Sequence, residues 1–133
     1  MRHTFKKEEK LKKAGDIELL FLQGRSFYEF PLRMIYLKTE KELKYPVQAA
    51  FAVSKKKVRK AVTRNRIKRL MREAYRLHKH DLYQNVAGKY QIMFTYTDEK
   101  PYKYVEVEEK MIRLLTKLIN YSNKEHNELY AKD

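Results

Sequence analysis

Apolar positions along the chain change period several times, and each change marks an element. Between Asp16 and Gly24, the residues Ile17, Leu20 and Phe21 share one helical face, which predicts a short helix with Asp16 as N-cap and Gly24 as C′ residue. From Arg25 to Lys38 the period drops to two. Phe30, Leu32, Met34 and Tyr36 alternate with Pro31, Arg33 and Ile35, a strand whose proline puts that end at an edge or a break. The polar run Thr39 to Lys44 turns the chain, and Val47 to Val53 reads as a second strand, with Ala49, Phe51 and Val53 on one side and Ala50 and Ala52 on the other. A helix is predicted from about Ala61 to about His80, then a turn at Gly88 and a strand over Tyr90 to Tyr96. Tyr104, Val107, Met111, Leu114, Leu115 and Leu118 recur at helical spacing, and Glu106, Glu108 and Glu109 occupy early turns, where the macrodipole favours anions. The basic arm Met1 to Lys13 and the tail from Tyr121 to Asp133 show no clear period and are expected to fray.

The central helix has two unlike faces. Advancing about 100° per residue puts Ile67, Leu70, Met71, Ala74 and Leu77 in one arc, which must face a core. The opposite arc holds Asn65, Lys68, Arg69, Arg72, Arg76 and Lys79, with Arg64 and Arg66 at its boundaries. From Lys55 to His80 there are twelve bases against one acid, Glu73, so this segment carries +11 of the net +14. An ordinary solvated face mixes signs, whereas Arg64/Lys68, Lys68/Arg72 and Arg72/Arg76 each repel by a few tenths of a kcal/mol. Lys55, Lys56 and Lys60 also crowd the helix N-terminus, where the dipole disfavours cations and welcomes phosphate. Local rules broken in one direction point to a polyanionic partner. Arginine at 64, 66, 69, 72 and 76 supplies planar forks that can hold a phosphate bidentately or stack on a base, and Asn65 adds a neutral amide able to meet a ribose hydroxyl or a base edge.

Composition narrows the function classes. A length of 133 residues supports one domain over the whole chain, and 43% apolar residues with six Phe and eleven Tyr call for a packed core rather than a disordered basic tail. Without cysteine there is no disulfide framework or Cys-based zinc site, which fits a reducing cytoplasm, and no segment approaches the roughly 20 apolar residues of a membrane span. His78 and His80 stand two apart and diverge on a helix, and the acids opening the last helix read as dipole partners rather than a magnesium cluster. With no nucleophile elbow or glycine-rich phosphate loop, the chain is expected to supply binding, with no catalytic residue and no protein-bound metal.

The string Ala61-Val62-Thr63-Arg64-Asn65-Arg66-Ile67-Lys68-Arg69, preceded by Ser54-Lys55-Lys56 and followed by Arg72-Glu73, resembles the RNR motif of the bacterial ribonuclease P protein subunits. Upstream, Leu11-Lys12-Lys13-Ala14-Gly15-Asp16, Phe21 and Gly24 also fit, leaving only the last dozen residues unmatched. The resemblance implies an α+β fold, a ribosomal protein S5 domain 2-like two-layer sandwich in the order αβββαβα, with a left-handed βαβ crossover around the RNR helix where general rules would give a right-handed one. It implies two RNA partners, a magnesium-dependent catalytic RNA met by the RNR helix and a precursor tRNA whose single-stranded 5′ leader enters a cleft between helix and sheet. No protein partner is implied.

Carried over by residue, Lys55, Lys56, Lys60, Arg64, Asn65, Arg66, Lys68, Arg69 and Arg72 belong to the motif region, and Arg76 extends it by one turn. Ile17, Phe21, Tyr36 and Phe51 are candidates for the leader cleft, with core packing as the equal alternative for the aromatic ones. The chain departs from the family in its Lys57-Val58-Arg59 loop, one residue longer and without the usual glycine, which leaves the roles of Lys57 and Arg59 open. The competing reading is a ribosomal or other structural RNA-binding protein using the same basic helix; composition does not separate the two, and the RNR string does. Alanine at Arg64 or Arg69 is expected to weaken RNA binding at little cost in stability.

Overall fold

The computed structural model describes residues 4–130. Helix α1 (Ala14–Gln23) leads into strands β1 (Arg25–Glu29), β2 (Leu32–Lys38) and β3 (Val47–Val53), then helix α2 (Ala61–Asn85), strand β4 (Tyr90–Tyr96) and helix α3 (Tyr104–Tyr130). This is the αβββαβα order. The stretch read as one strand from Arg25 to Lys38 is a hairpin: the chain turns at Phe30-Pro31 and β1 pairs antiparallel with β2. The four strands lie in the order β1-β2-β4-β3, with β2 antiparallel and β3 parallel to β4.

Strand alternation gives the sheet two different faces. Met34, Tyr36, Val47, Ala49, Ile92 and Phe94 point to the side covered by α2 and α3, where Ile67, Met71, Tyr75, Met111 and Leu114 complete the main core. On the reverse side, Leu11 and Leu20 pack on Ile35 and Met93, so α1 covers only part of that face. β3 is an edge strand, and the Leu11 amide donating to the Ala49 carbonyl (3.0 Å) closes part of its free edge.

The hand of the β3–α2–β4 crossover follows from these bonds. With the strands upright and α2 toward the viewer, an L-residue whose side chain faces the viewer sends its N–H and C=O to the right. Ala49 faces the α2 core, and its carbonyl goes to Leu11, away from β4; Tyr90 faces the same core, and its amide goes to the Pro46 carbonyl at the start of β3. β4 therefore stands to the left of β3 and the crossover is left-handed, against the general preference.

Local signals behave differently from their sequence reading at four points. Asp16 is not the N-cap of α1; it sits inside the first turn, where its carboxylate pairs with the Lys41 ammonium and accepts from the Gln91 amide at 3.3 Å, tying α1 to the turn after β2. Gly24 is extended at φ −70°, so no left-handed C′ geometry selects it; a Cβ there would lie 2.3 Å from the Leu20 carbonyl and 2.8 Å from Ile35 Cγ2. Gly88, at φ 100°, is the glycine whose turn needs its backbone freedom. The expected fraying tail is helical as far as Tyr130. Ser122 is buried with its hydroxyl accepting from the Ala87 amide, and Asn123 donates to the Asn85 carbonyl at the end of α2. The expected flexible arm is anchored too from Thr4 onward, through the Lys7–Glu9 3₁₀ turn and the Leu11 bond; Met1 to His3 and Ala131 to Asp133 lie outside the described residues.

Candidate nucleic-acid interface

Cations occupy the approach to α2 from Lys55 onward, and the first deeply buried side chain of the helix is Ile67. Its buried residues are Ile67, Met71, Ala74, Tyr75, Lys79 and Leu82. Compared with the arc read from the sequence, this one is rotated by roughly 70°, at about 100° per residue, leaving Leu70 and Leu77 half-buried. The cause is Tyr75, whose ring sits against Phe51 (5.8 Å between centroids) and Phe94 (5.6 Å) and pulls its side of the helix onto the sheet.

The rotation corrects one member of the cationic face. Lys79 is 2% exposed and is not on that surface. Its ammonium pairs with Glu9 and donates to the Thr4 carbonyl, with the Phe5 and Tyr83 rings about it. Burial raises the Glu9 carboxyl, but the Lys6 amide (2.7 Å), Lys79 and the Tyr83 hydroxyl (2.7 Å) outweigh it and hold the group below the usual carboxylate range. A four-carbon stem ending in a charge reads as surface in a sequence; here a second charge seventy positions away makes burial possible.

The other cations remain outward. Lys55, Lys56, Lys60, Asn65, Arg66, Arg69 and Arg72 are exposed, Lys68 is half-exposed, and none has a side-chain hydrogen-bond or ion-pair partner among the described residues. Arg76 is engaged with Glu73, whose carboxyl that bond holds low, so the lone acid of the segment neutralises one end of the row and leaves the rest open. Arg64 has a second duty. Its Nη1 donates to the carbonyls of Val58 (2.9 Å) and Arg59 (2.7 Å), clamping the loop before α2.

That loop resolves the roles left open for its extra residue. Val58 is buried, its amide closing a turn on the Ser54 carbonyl at 3.0 Å, and Lys57 is drawn back to donate to the Thr97 carbonyl at 2.8 Å. Lys57 thus acts as an anchor, while Arg59 stays exposed beside Lys60 at the start of α2. No side chain caps that helix end, so its first amides and the surrounding ammonium groups present one positive surface. Lys10 and Lys12, which the sequence reading passed over, line a recess with Phe5, Phe51 and Arg72, extending the positive surface across the β3 edge. The isolated bridge between Lys10 and Ala49, together with the Leu11–Ala49 bond and the Glu9–Lys79 pair, brings them there.

The family model for ribonuclease P matches residues 5–119. The chain belongs to the ribonuclease P protein family. It is 43% identical over 90 residues to the ribonuclease P protein component of Porphyromonas gingivalis, across 67% of this chain and 64% of that protein. To the same component from Chlorobium phaeobacteroides it is 46% identical over 84 residues, 61% of this chain and 58% of the relative. Each match therefore spans less than two thirds of the relative's length. Among solved structures, the Staphylococcus aureus RNase P protein superposes with a TM-score of 0.67 at 21% identity, covering 84% of this chain and 98% of that one. The Thermotoga maritima RNase P protein gives 0.66 at 23% identity over 82% and 96%. These last two share the fold.

In this ribonuclease P family chain the four residues considered for a leader cleft fall on two sides of the sheet. Ile17 and Phe21 stand one turn apart on α1, on the reverse face, Ile17 half-buried and Phe21 exposed. Tyr36 is buried on the main-core side, stacked on Phe27 at 4.6 Å, and Phe51 is half-buried there, stacked on Phe94 at 5.5 Å and opening only toward the Lys10–Arg72 recess. A strand's residues share a face only with their own parity, so no single groove holds all four. Among the described residues no group of three or more His, Cys, Asp or Glu is placed to hold a metal ion, and no helix is long and apolar enough to cross a membrane.

Proposed function

We propose that the chain is the protein subunit of a bacterial ribonuclease P, working in the cytoplasm: it binds the catalytic RNA through α2 and helps hold the 5′ leader of precursor tRNA while the RNA removes it. The observation that carries this reading is the outward row Asn65, Arg66, Arg69 and Arg72, charged or polar and without protein partners, set on the RNR string. Cations left unpaired at a mutual repulsive cost are what a phosphate backbone would neutralise, with release of its counterions. Lys55, Lys56, Lys60, Arg64 and Lys68 continue that surface to the helix start, and Arg76 ends it.

Magnesium enters this reading with the RNA, since the described side chains gather no donor set for it. The protein's share is charge neutralisation and positioning: phosphate contacts raise substrate affinity, and energy gained on the remote leader places the scissile bond. Ile17 and Phe21, on the reverse face beside the uncovered part of the sheet, are the better placed of the four candidates to meet the leader; Tyr36 and Phe51 serve chiefly as core.

The test is cleavage of precursor tRNA by a bacterial ribonuclease P RNA at low magnesium, with and without the chain. Stimulation of cleavage at the mature 5′ end is expected. Tight RNA binding without stimulation would favour a structural RNA-binding protein instead, and cleavage by the protein freed of RNA would contradict the assignment of chemistry to the RNA.

A further inference from the structure

Two contacts of different kinds seat α1 on the reverse face of the sheet. The first is apolar: Leu20, fully buried, rests on Ile35 and Met93. The second is polar. Gln91 of β4, 3% exposed, stands between Leu37 of β2 and Gln48 of β3 in the strand register. Its Nε2 donates to Gln48 Oε1 at 3.0 Å and to Asp16 Oδ2 at 3.3 Å, so a side chain from an inner strand holds the first turn of α1.

The placing of these anchors matters for the residues beside them. Asp16 and Leu20, four residues apart, share the stripe of α1 that faces the sheet, and Ile17 and Phe21 form the next stripe, about 100° further round. Apolar contact is non-directional, so Leu20 alone resists rotation of a ten-residue helix weakly. A hydrogen bond has a direction. The Asp16–Gln91 bond lies one turn, about 6 Å, before Leu20, and together the two anchors fix the angle at which Ile17 and Phe21 leave the sheet.

The amide is itself held. Gln48 Nε2 donates to the Glu8 carbonyl at 3.4 Å, and Asp16 keeps a second partner in Lys41, on the turn after β2. With the Gln48 oxygen taken by Gln91 and its nitrogen by Glu8, neither amide can flip without losing a bond. Leucine in place of Gln91 would carry no such demand for partners, so a buried amide beneath the helix of Ile17 and Phe21 calls for a role beyond packing.

We propose that Gln91 is a positioning residue for substrate discrimination: by holding Asp16 it sets the rotation of α1, and with it the aim of Ile17 and Phe21. This deepens the reading above and rests on it, since those two side chains are the ones offered to the leader. Gln91 is buried, touches no RNA and acts through Asp16.

The experiment reconstitutes wild type, Gln91→Leu, Asp16→Ala and Asp16→Asn with a bacterial ribonuclease P RNA, and measures cleavage of precursor tRNA, affinity for mature tRNA and amide hydrogen exchange. If the wild-type complex does not separate leader-bearing from mature tRNA, the functional reading itself fails. If it does, Gln91→Leu and Asp16→Ala should each raise KM for the precursor about fivefold, the worth of one hydrogen bond. Values of kcat, mature-tRNA affinity and affinity for the ribonuclease P RNA should stay within about twofold, and the amides of α1 should exchange faster while those of α2 do not. Asp16→Asn keeps an acceptor for Gln91 and gives up only the pairing with exposed Lys41, so it should behave as wild type. The double variant Gln91→Leu/Asp16→Ala should be no worse than Asp16→Ala alone. Should Gln91→Leu fail to fold, the contrast of Asp16→Ala with Asp16→Asn decides. An unchanged KM in the folded variants, equal losses on mature tRNA, additive effects of the two substitutions, or an Asp16→Asn defect matching that of Asp16→Ala would overturn the proposal.

Discussion

Lys79 and Glu9 form an ion pair sealed beneath the same helix whose outer side carries the free arginines, and it fastens the start of the chain to α2. Both side chains are almost fully buried, so neither charge has water to fall back on. Removing one partner leaves the other uncompensated, which typically costs about 3 kcal/mol or more. Lys79→Ala is expected to lower the urea midpoint by that measure while leaving RNA affinity of the folded protein within about twofold; a large affinity loss with unchanged stability would return Lys79 to the binding surface.

The pair also sets a pH dependence. Glu9 is held below its ordinary value of 4.5, so its contribution to stability is complete above that value and is lost as pH falls through the lowered folded-state value. Asp16, Glu29 and Glu108 are lowered as well, by Lys41, Lys117 and His78 respectively, so the whole chain should lose stability in acid. Glu9→Gln should therefore be less stable than wild type at neutral pH, with the gap narrowing below pH 4.5 in urea titrations across the range.

Arg64 and Arg69 are expected to separate, although both lie in the RNR string. Arg69→Ala removes an exposed, unpartnered cation and should cut RNA affinity, reduce the slope of log affinity against log salt by roughly one unit per lost phosphate contact, and leave melting unchanged. Arg64→Ala also frees the Val58 and Arg59 carbonyls and should cost about 1 kcal/mol of stability besides. Thermal melts and salt titrations of both variants check this, and identical melts would show that the loop clamp contributes nothing.

Two glycines of the α1 region should respond to alanine with opposite sign. Gly24→Ala drives a Cβ into the Leu20 carbonyl and Ile35 and should destabilise by about 2 kcal/mol. Gly15→Ala meets nothing within 4 Å and should stabilise by about 0.5 kcal/mol through the unfolded chain. Urea unfolding of the two variants against wild type is sufficient.

The part of α3 beyond residue 119, where the family model ends, should matter for folding. Asn123→Ala removes the bond to the Asn85 carbonyl, and ending the chain after residue 119 also removes the Ser122 hydroxyl that accepts from Ala87 and the Tyr121 ring 5.1 Å from Tyr36. A loss of about 1 kcal/mol is expected for the substitution and a larger one for the truncation, read from melting curves, with cleavage stimulation retained at temperatures where each protein stays folded.

Much of this was readable from local pattern. The strands Val47–Val53 and Tyr90–Tyr96 have the ends that alternation and β-branched content predict, and the like charges of the RNR string, which violate helix pairing rules, lie on an exposed cationic face of α2. The hairpin around Pro31 was not readable as two strands, since alternation continues through a two-residue turn. The helical end of α3 escaped because Ser122 and Asn123 are ordinary surface residues until α2 ends beside them.

What the amino-acid order decides by itself is where charge accumulates and which residues repeat at helical or strand period, because those depend only on neighbours within a turn or two. Which arc of α2 is buried, whether Lys79 is surface or core, and which aromatic rings share a face depend on partners tens of residues away: Tyr75 on the sheet, Glu9 under the helix, and the parity of β2 and β3. Such contacts exist only once the sheet has formed, so their energies have no local signature in the chain.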